Sequence, residues 1–359
     1  MSESAALPLI LGLESSCDET AAAVLRGPRT VLSNVIASQH DLHAKFGGVV
    51  PEIASRAHIE RILPVFDEAL AQANVTLDQL DAIAVGNRPG LIGSLLVGVA
   101  AAKSLAWSLG KPLIGVDHVK SHLYGAALDD QPIAYPALGL VVSGGHTSLY
   151  LARSPLEMQL LGRTIDDAVG EAYDKVAAIL EAGFPGGPVI DRLAQRGNAK
   201  AIRFPRTLLD ADSLDFSYSG LKTAVLYHVR GQPTGRGRSA SFTRGAADLT
   251  DTEKADVAAG FQAAAVDVLI GKLERAWAKL TEAGEAPQCL IIGGGVSANS
   301  LLRQRVKELG EEHDIAVRVP KMAYCLDNAA MIGGLAYWRL AAGERDGLDL
   351  PAIATTSLA

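Results

Sequence analysis

Two histidines lie four residues apart in the segment Asp117–His122. If this segment is helical, His118 and His122 leave the same face one turn apart and can bind one metal ion. The flanking residues favour a helix, because a strand-like apolar run, residues 113–116, ends directly before Asp117, which is a good N-cap residue. The spacing alone fits two surface histidines equally well. A metal site would therefore need further ligands from elsewhere in the chain.

A second polar stretch, residues 14–20, lies between two apolar runs near the N-terminus. The runs, residues 7–13 and 21–25, predict buried strands, so the stretch between them is a hairpin turn. Asp18 and Glu19 in this turn are carboxylates, which can bind a metal ion or accept a proton. Its hydroxyl and backbone N–H groups can contact phosphate. A turn of this kind is also polar simply because it faces water.

Two glycine-rich turns follow predicted strands in the second half of the chain. The first is Ser143–Thr147, between strands at 138–142 and 148–152. The second is Gly293–Asn299, between a strand at 288–292 and a helix that begins at Ser300. Glycines let backbone N–H groups approach a phosphate, and a helix N-terminus favours negative charge. The glycine spacing differs from that of the dinucleotide-binding fingerprint.

The strand–polar turn–strand unit therefore occurs twice, which predicts two α/β lobes of one design. We expect the first lobe at residues 7–134, the second at 135–341, and a tail at 342–359. In the second lobe, Thr164 is expected to cap a helix that continues to Glu181 and carries Asp166, Asp167 and Asp174. Acidic residues in a first helical turn are ordinary, whereas Asp174 lies two turns in.

Composition limits how the chain could bind nucleic acid. The net charge is −7, with 48% apolar and 5% aromatic residues, which suits an α/β protein without an extended basic surface. Any RNA contact must therefore be local or shared with a partner. Lys200, Arg203 and Arg206 form one small basic cluster. A Gly-, Ser- and Arg-rich loop at about 231–251, carrying Arg236, Arg238 and Arg244, is either a solvated linker or a phosphate-contacting flap.

Three widely spaced cysteines, Cys17, Cys289 and Cys325, argue against a disulfide framework and fit a reducing cytoplasm. The N-terminal apolar run has no preceding Lys or Arg and is interrupted by Glu14, so we expect a core strand there and no signal peptide. The apolar run 91–102 is short and contains glycine, so we expect no membrane span.

Eight motifs in order resemble one known family. They are Gly12–Thr20, Gly47–Arg56, the pair His118 and His122, Val142–Thr147, Asp166–Lys175, Phe216–Thr223, Gly293–Asn299, and Asp327-Asn328. Over roughly residues 9–340 the chain resembles the TsaD family of tRNA adenosine threonylcarbamoyltransferases, once called O-sialoglycoprotein endopeptidases. The resemblance implies a two-lobed α/β fold of the actin/Hsp70/sugar-kinase (ASKHA) class, with a nucleotide cleft between the lobes.

The resemblance also implies a reaction. The threonylcarbamoyl group passes from threonylcarbamoyl-AMP to the N6 amine of adenosine 37 in tRNAs that read ANN codons. His118, His122 and Asp327 would bind one Fe²⁺ or Zn²⁺ ion, with Asp327 contributed by the second lobe. Asp18 and Glu19 match acidic positions that assist transfer, and which of them accepts the proton stays open. The residues that would line the substrate are Val141, Val142, Ser143, Gly144, Gly145, Asp174, Gly187, Asp191 and Asn299.

The implied partners are tRNA, a separate threonylcarbamoyl-AMP synthase and, in bacteria, a TsaB-like paralogue and a TsaE-like ATPase. In the family, a small-faced helix preceded by Gly-Pro-Gly packs against the TsaB-like subunit. This chain has Asn87-Arg88-Pro89-Gly90 there, so Arg88 replaces the first glycine. The change would affect that interface more than the active site.

Other functions fit the residues less well. A related O-carbamoyltransferase using carbamoyl-adenylate would share the metal pair but carry extra domains. A non-catalytic scaffold would not need the histidines, Asp327 and every glycine turn, and a sugar kinase would transfer phosphoryl groups from ATP. The old protease label fails because a zincin helix has Glu directly after the first His, where this chain has Val119.

Overall fold

The computed structural model describes residues 7–128, 132–234 and 241–355. The strands of these residues are β1 (Leu9–Glu14), β2 (Glu19–Arg26), β3 (Thr30–Ser38), β4 (Ala82–Arg88), β5 (Leu113–Asp117), β6 (Ala137–Val142), β7 (Thr147–Ala152), β8 (Met158–Arg163), β9 (Cys289–Gly293) and β10 (Ala316–Arg318). The α-helices are α1 (His40–Ala44), α2 (Pro51–Ala73), α3 (Ile92–Leu109), α4 (His118–Tyr124), α5 (Val169–Ile179), α6 (Gly186–Ala194), α7 (Ser219–Arg230), α8 (Asp251–Glu282), α9 (Ser300–Glu312) and α10 (Ala329–Ala341).

The chain forms two compact units. Unit 1 contains the chain up to Ile133 together with Arg153–Met158 and the segment from Pro320 onwards, and unit 2 contains Ala134–Ala152 and Gln159–Val319. The change of unit after Ile133 lies one residue before the expected boundary. Helix α10, which was expected in the second lobe, belongs to unit 1, as do the residues after it.

Unit 1 is a five-stranded mixed sheet in the order β3-β2-β1-β4-β5. The pairs β1–β2 and β2–β3 are antiparallel, whereas β4 is parallel to β1 and to β5. Apolar side chains of α2 and α3 cover one face, with Phe66 and Val99 in the core. Helix α10 packs on β1 and β2, and Gly12 allows this, since a Cβ there would lie 2.3 Å from the Ala329 carbonyl oxygen. This close approach places α10 in unit 1 despite its position near the end of the sequence.

Unit 2 repeats the strand order of unit 1. Its sheet runs β10-β9-β6-β7-β8, with β6–β7 antiparallel and β9 parallel to β6 and β10. Counted from the first strand of each unit, both sheets have the order 3-2-1-4-5. The internal repeat that the sequence predicted is therefore confirmed. The long helix α8 lies in the core of unit 2, where Phe261 contacts Tyr173 edge-on with ring centroids 5.0 Å apart.

One predicted helix begins later than expected. The helix expected from Thr164 begins only at Val169, because the Thr164 hydroxyl bonds the Asp167 carbonyl and holds residues 164–168 as a turn. Asp166 and Asp167 therefore lie outside the helix. Asp166 accepts hydrogen bonds from Tyr218 N (2.8 Å) and from the hydroxyls of Ser217 and Ser219, at the N-terminus of α7.

The residues that follow α10 pack along the edge of unit 1. Asn87, at the end of β4, is buried. Its side chain donates to the Pro351 carbonyl at 3.0 Å, and its carbonyl accepts from Ile353 N at 2.9 Å. Leu350 enters the core of the unit. Asn87, which lies in the stretch 87–90 where the chain differs from the family's Gly-Pro-Gly, therefore has a structural function of its own.

Helix α3 is, among the described residues, the one helix whose length and apolar composition would suffice to cross a membrane. A buried core helix passes the same test. In unit 1 this helix packs against β4 and α2, and Leu95, Val99 and Ala102 are buried there.

Candidate metal centre and substrate site

Helix α4 holds the two histidines as the sequence predicted. The Asp117 side chain accepts a hydrogen bond from Lys120 N at 3.1 Å and caps the helix. His118 and His122 are 4% and 1% exposed, and their ring centroids lie 4.7 Å apart. The surface-histidine alternative is therefore excluded, because both rings are buried.

Asp327 directly precedes Asn328, the N-cap of α10, and its side chain contacts both rings. Its Oδ1 atom is 3.1 Å from His122 Nε2 and 3.6 Å from His118 Nε2. Asn328 caps α10 by accepting from Met331 N at 3.0 Å, which fixes the backbone beside Asp327. All three residues belong to unit 1. The expectation that Asp327 comes from the second lobe is therefore wrong, because α10 packs on β1 and β2 of unit 1.

The three side chains fit a metal ion. Ligand atoms 2.0–2.2 Å from a tetrahedral ion lie about 3.4 Å from one another, which the 3.1 and 3.6 Å separations bracket. Neither ring nitrogen of the buried His122 has a hydrogen-bond partner in the described part of the chain. The 3.1 Å contact of His122 with Asp327 thus lacks hydrogen-bond geometry, as expected of two ligands that point at a common centre.

Two residues that the sequence had not indicated as partners, Glu14 and Ser16, orient the His118 ring. Its Nδ1 lies 3.0 Å from Glu14 Oε2 and 3.1 Å from Ser16 Oγ. Burial alone would lower the pKa of His118, but the charges of Glu14 and Asp327 outweigh burial and raise the pKa to about 9. The surrounding carboxylates therefore favour a positive charge at this place, whether a proton or a metal ion.

The acidic hairpin lies in the same unit. Asp18 and Glu19 are 7% and 6% exposed, and Glu19 Oε1 is 3.4 Å from His40 Nε2. Ligand atoms of Asp18, Glu19 and His40 all lie within 4.8 Å of one another. Burial, followed by the charges of Asp327 and Asp18, raises the pKa of Glu19 well above its usual value. The turn is thus a buried carboxylate pair and not a solvated loop.

His58 has a structural function. It is fully buried on α2, with Nδ1 2.8 Å from Thr20 Oγ1 and Nε2 2.9 Å from the Cys17 carbonyl oxygen. The carbonyl can only accept, so Nε2 carries the proton and Nδ1 accepts from the Thr20 hydroxyl. His58 therefore stabilises the acidic hairpin through these two hydrogen bonds.

In unit 2, the first glycine turn closes on itself. Ser143 N donates to the His146 carbonyl at 2.8 Å, and His146 N donates to Ser143 Oγ at 3.1 Å. Gly144 and Gly145 are exposed, and a Cβ at either would meet no atom within 4 Å. The side chains of Val141 and Val142 are fully buried, so these two residues can offer a ligand only their backbone atoms.

Three other predicted substrate residues, Asp174, Asp191 and Asn299, hold the N-termini of α6 and α9, and a fourth, Gly187, lies in α6. Asp174 accepts from Gly186 N at 2.7 Å. Asp191 accepts from the Asn299 amide at 3.2 Å and from the Ser300 hydroxyl at 2.7 Å. Gln262, which the sequence had not indicated, donates to Asp191 at 3.1 Å and accepts from Asn299 at 2.9 Å. Gly187, in the first turn of α6, has open space where a Cβ would lie.

The second glycine turn packs against the first strand of unit 2. Gly294 has φ +92°, and a Cβ there would lie 2.4 Å from the Val142 carbonyl oxygen. A 3-10 turn, Gly295–Ala298, separates it from α9, which begins at Ser300 as predicted and is capped by Asn299. In the Arg-rich loop, Arg244 bonds the His228 carbonyl, whereas Arg236 and Arg238 lie outside the described residues.

Solved structures define the class of protein. HypF from T. kodakarensis superposes with a TM-score of 0.61 at 13% identity, covering 94% of this chain and 48% of that one. A full-length HypF in a phosphate- and nucleotide-bound form gives a TM-score of 0.56 at 13% identity, covering 92% and 55%. Identities this low show the fold alone. The chain is thus an α/β protein of the actin/Hsp70/sugar-kinase class with a buried His-His-Asp group.

Sequence comparison defines the family. The family model for TsaD, tRNA N6-adenosine threonylcarbamoyltransferase, matches residues 30–334. Proteins of that name from Rhodopirellula baltica and Symbiobacterium thermophilum are each 50% identical to the chain, over 356 and 345 residues. The alignments cover 98% and 96% of this chain and 97% and 95% of the relatives. The chain belongs to the TsaD family, and it is a transferase that forms N6-threonylcarbamoyladenosine in tRNA.

Proposed function

We propose that the chain transfers the threonylcarbamoyl group from threonylcarbamoyl-AMP to N6 of adenosine 37 in tRNAs that read ANN codons. The observation that carries the proposal is the convergence of His118, His122 and Asp327 on one point in unit 1. Two histidines and one carboxylate are a ligand set used by catalytic zinc and by non-haem iron(II). One Fe²⁺ or Zn²⁺ ion per subunit is therefore the cofactor that we infer.

When bound, such an ion supplies Lewis acidity that can polarise the carbamoyl carbonyl. The residues of the chain have two tasks around it. Glu14 and Ser16 keep the His118 ring in place, so that Nε2 points at the centre. Asp18 or Glu19 takes the proton that the attacking amine loses.

The transfer replaces one bond of the carbamoyl carbon with another and releases one proton. The adenosine N6 forms a bond to the carbamoyl carbon, the bond from that carbon to the phosphate oxygen breaks, and AMP leaves with the electron pair. The proton of the amine passes to Asp18 or Glu19. Both carboxylates are more than nine-tenths buried, so the proton acceptor is shielded from bulk water.

Unit 2 offers groups for the adenylate. Ser143, Gly144 and Gly145 form a turn whose two glycines are exposed, and Gly187 lies in the first turn of α6, where backbone N–H groups favour an anion. Asp174, Asp191 and Asn299 keep the N-termini of α6 and α9 in place. Val141 and Val142 would contribute backbone atoms only. This assignment rests on the family resemblance and on the hydrogen bonds just described.

The partners that we propose are a TsaB-like subunit, a TsaE-like ATPase and a separate synthase of the adenylate, all in the cytoplasm. An apolar surface supports the first of these. Ile59 and Leu63 on α2 are 64% and 63% exposed, and Leu96 on α3 is 54% exposed. Large apolar side chains grouped on neighbouring helices are typical of a protein interface. Transfer of a simple carbamoyl group is not favoured, since the full-length relatives carry the threonylcarbamoyltransferase name.

A reconstitution tests the proposal. The chain, its TsaB-like and TsaE-like partners and unmodified tRNA are supplied with ATP and with threonylcarbamoyl-AMP made by the synthase from threonine, bicarbonate and ATP. Mass spectrometry of the nucleosides should show N6-threonylcarbamoyladenosine with the wild type and none with His118→Ala, which should also lose its metal. Full activity in a wild type stripped of metal would contradict the metal's role.

A further inference from the structure

The segment after the predicted substrate residue Asp191 is unusually basic. Residues 192–206, called here the basic segment, contain five Arg or Lys residues and no Asp or Glu. The whole chain has 33 basic residues in 359 and a net charge of −7. One residue in three is thus cationic in a stretch of an otherwise acidic protein, which makes it the local basic surface that RNA binding would require.

Most of these cations are exposed and unpaired. Arg192, Arg196, Lys200 and Arg203 are exposed. None of the four makes an ion pair with any residue that the structure describes. Other cations of unit 2 are used internally; Lys175 and Lys222, for example, both contact Asp167 at 2.7 Å. The free charges of the basic segment are therefore available to an outside partner.

The backbone beneath these cations is held firmly on α8. A Cβ at Gly197 would lie 2.0 Å from the Ala255 carbonyl oxygen, and one at Gly260 would lie 2.7 Å from the Ile202 carbonyl oxygen. Asn198 N donates to Asp256 at 2.7 Å, and the Phe204 side chain is buried in the core of unit 2. The segment is therefore a positioned array of charges and not a solvated linker, so binding would order only the side chains.

The basic segment also lines a cavity of about 420 Å³ with Lys200, Arg203, Arg206 and Asp267. The single carboxylate is already shared. Arg206 donates to Asp267 Oδ2 at 3.0 and 3.1 Å, and Arg305 donates to Oδ1 at 3.1 Å. Two cations, Lys200 and Arg203, thus face the cavity with no neutralising partner among the described residues. Such a surplus of positive charge suits phosphate.

We propose that the basic segment binds backbone phosphates of the tRNA substrate, with Lys200 and Arg203 as the principal contacts. The inference rests on the tRNA substrate of the proposed function. The proposed RNA surface and the predicted adenylate site lie in one unit, since the basic segment directly follows Asp191, which holds Asn299 and Ser300. Phosphate contacts of this kind position the RNA and read no sequence.

The test compares the double variant Lys200→Ala/Arg203→Ala with the double variant Lys307→Ala/Arg345→Ala in the full-length chain. Both remove one exposed Lys and one exposed Arg. Among the described residues the only ion pair lost is Lys307 with Glu311, which is exposed and weak. Binding of unmodified tRNA is measured by fluorescence anisotropy at several salt concentrations. Thermal melting should show both variants folded as the wild type.

We expect the affinity for tRNA to be about tenfold weaker in the Lys200→Ala/Arg203→Ala variant only. The slope of log K against log salt should become smaller in magnitude by about 1.4–1.8, because two phosphate contacts are lost. In the modification assay, KM for tRNA should rise while kcat stays within a factor of two. Equal tRNA affinity and salt slope in the two variants would overturn the inference. So would a loss of AMP binding with tRNA binding unchanged, because the cavity would then hold a free nucleotide.

The two claims fail separately. If the wild type binds tRNA through these residues but forms no modified nucleoside, the proposed function fails and the RNA surface stands. If the wild type forms the nucleoside and the Lys200/Arg203 variant matches its control, only the RNA surface fails. A wild type that does not bind tRNA would overturn the inference for this chain.

Discussion

Glu14 and His118 form a buried carboxylate–imidazole pair, with Glu14 Oε2 3.0 Å from His118 Nδ1. Glu14 is fully buried at the end of β1, and its second oxygen accepts from Ser16 N. A carboxylate can only accept here, so Nδ1 carries a proton, and a metal ion would take the place of the proton on Nε2. The residue that orients the first ligand thus lies 104 positions away in the sequence.

Replacing Glu14 with Gln should therefore weaken metal binding by about 10–100-fold, because the amide is a poorer acceptor for His118 Nδ1. Competition with a chelator, followed by metal analysis, measures the affinity directly and independently of turnover. Glu60→Gln, at an exposed position on α2, is the control and should bind metal as the wild type does. Unchanged metal affinity in Glu14→Gln would show that Glu14 does not orient the ligand.

Asp327→Asn should abolish stable metal binding and tRNA modification while leaving the fold intact. The amide has the shape of the carboxylate but no charge, and the 3.1 and 3.6 Å contacts to the two Nε2 atoms would lose their anionic ligand. Metal content and nucleoside mass spectrometry are the measurements. Asp67→Asn, on the exposed face of α2, should change neither. A metal-replete and active Asp327→Asn protein would remove this residue from the site.

Two glycines of unit 2 should respond differently to alanine. Gly294→Ala forces a side chain into a left-handed conformation, at a backbone cost of roughly 1–3 kcal/mol, and drives its Cβ against the Val142 carbonyl. We expect a lower melting temperature. A Cβ at Gly187 meets open space, so Gly187→Ala should have the melting temperature of the wild type. We expect it to bind the adenylate more weakly. If Gly187→Ala binds the adenylate normally, α6 does not contact it.

His58 should make stability depend on pH. Burial lowers the pKa of His58, so the unfolded chain binds a proton more readily than the folded one. The contribution of the neutral ring is present above the unfolded pKa of about 6.5 and is lost as the pH falls toward the lower folded pKa. The difference in unfolding free energy between the wild type and His58→Asn should be larger at pH 7.5 than at pH 5.5.

Urea unfolding at both pH values measures this difference. The same pair of measurements on His313→Asn, a position in contact with Trp277 in unit 2, serves as a control for general effects of losing a histidine. A gap between the wild type and His58→Asn that is constant with pH would show that His58 has the same pKa in both states.

Several features were predictable because they depend on neighbours in the sequence. The helical spacing of His118 and His122, with Asp117 as N-cap, determined that both rings share one face. The repeated pattern of strand, polar turn and strand predicted two lobes of one design, and the two sheets do have equal strand order. Local hydrogen bonding and alternation of apolar residues are properties of short windows, so they can be recognised without the fold.

The tertiary structure decided what depends on distant packing. Asp327 was expected in the second lobe, yet Gly12 lets α10 pack on β1, and this places Asp327 beside the histidines in unit 1. Val141 and Val142 turned out to be core residues, since both faces of β6 are buried. Sequence alone showed that His118 and His122 could bind a metal. Only the packing of β1 and α10 on one sheet, which brings Glu14 and Asp327 to the same point, shows how a metal would be held.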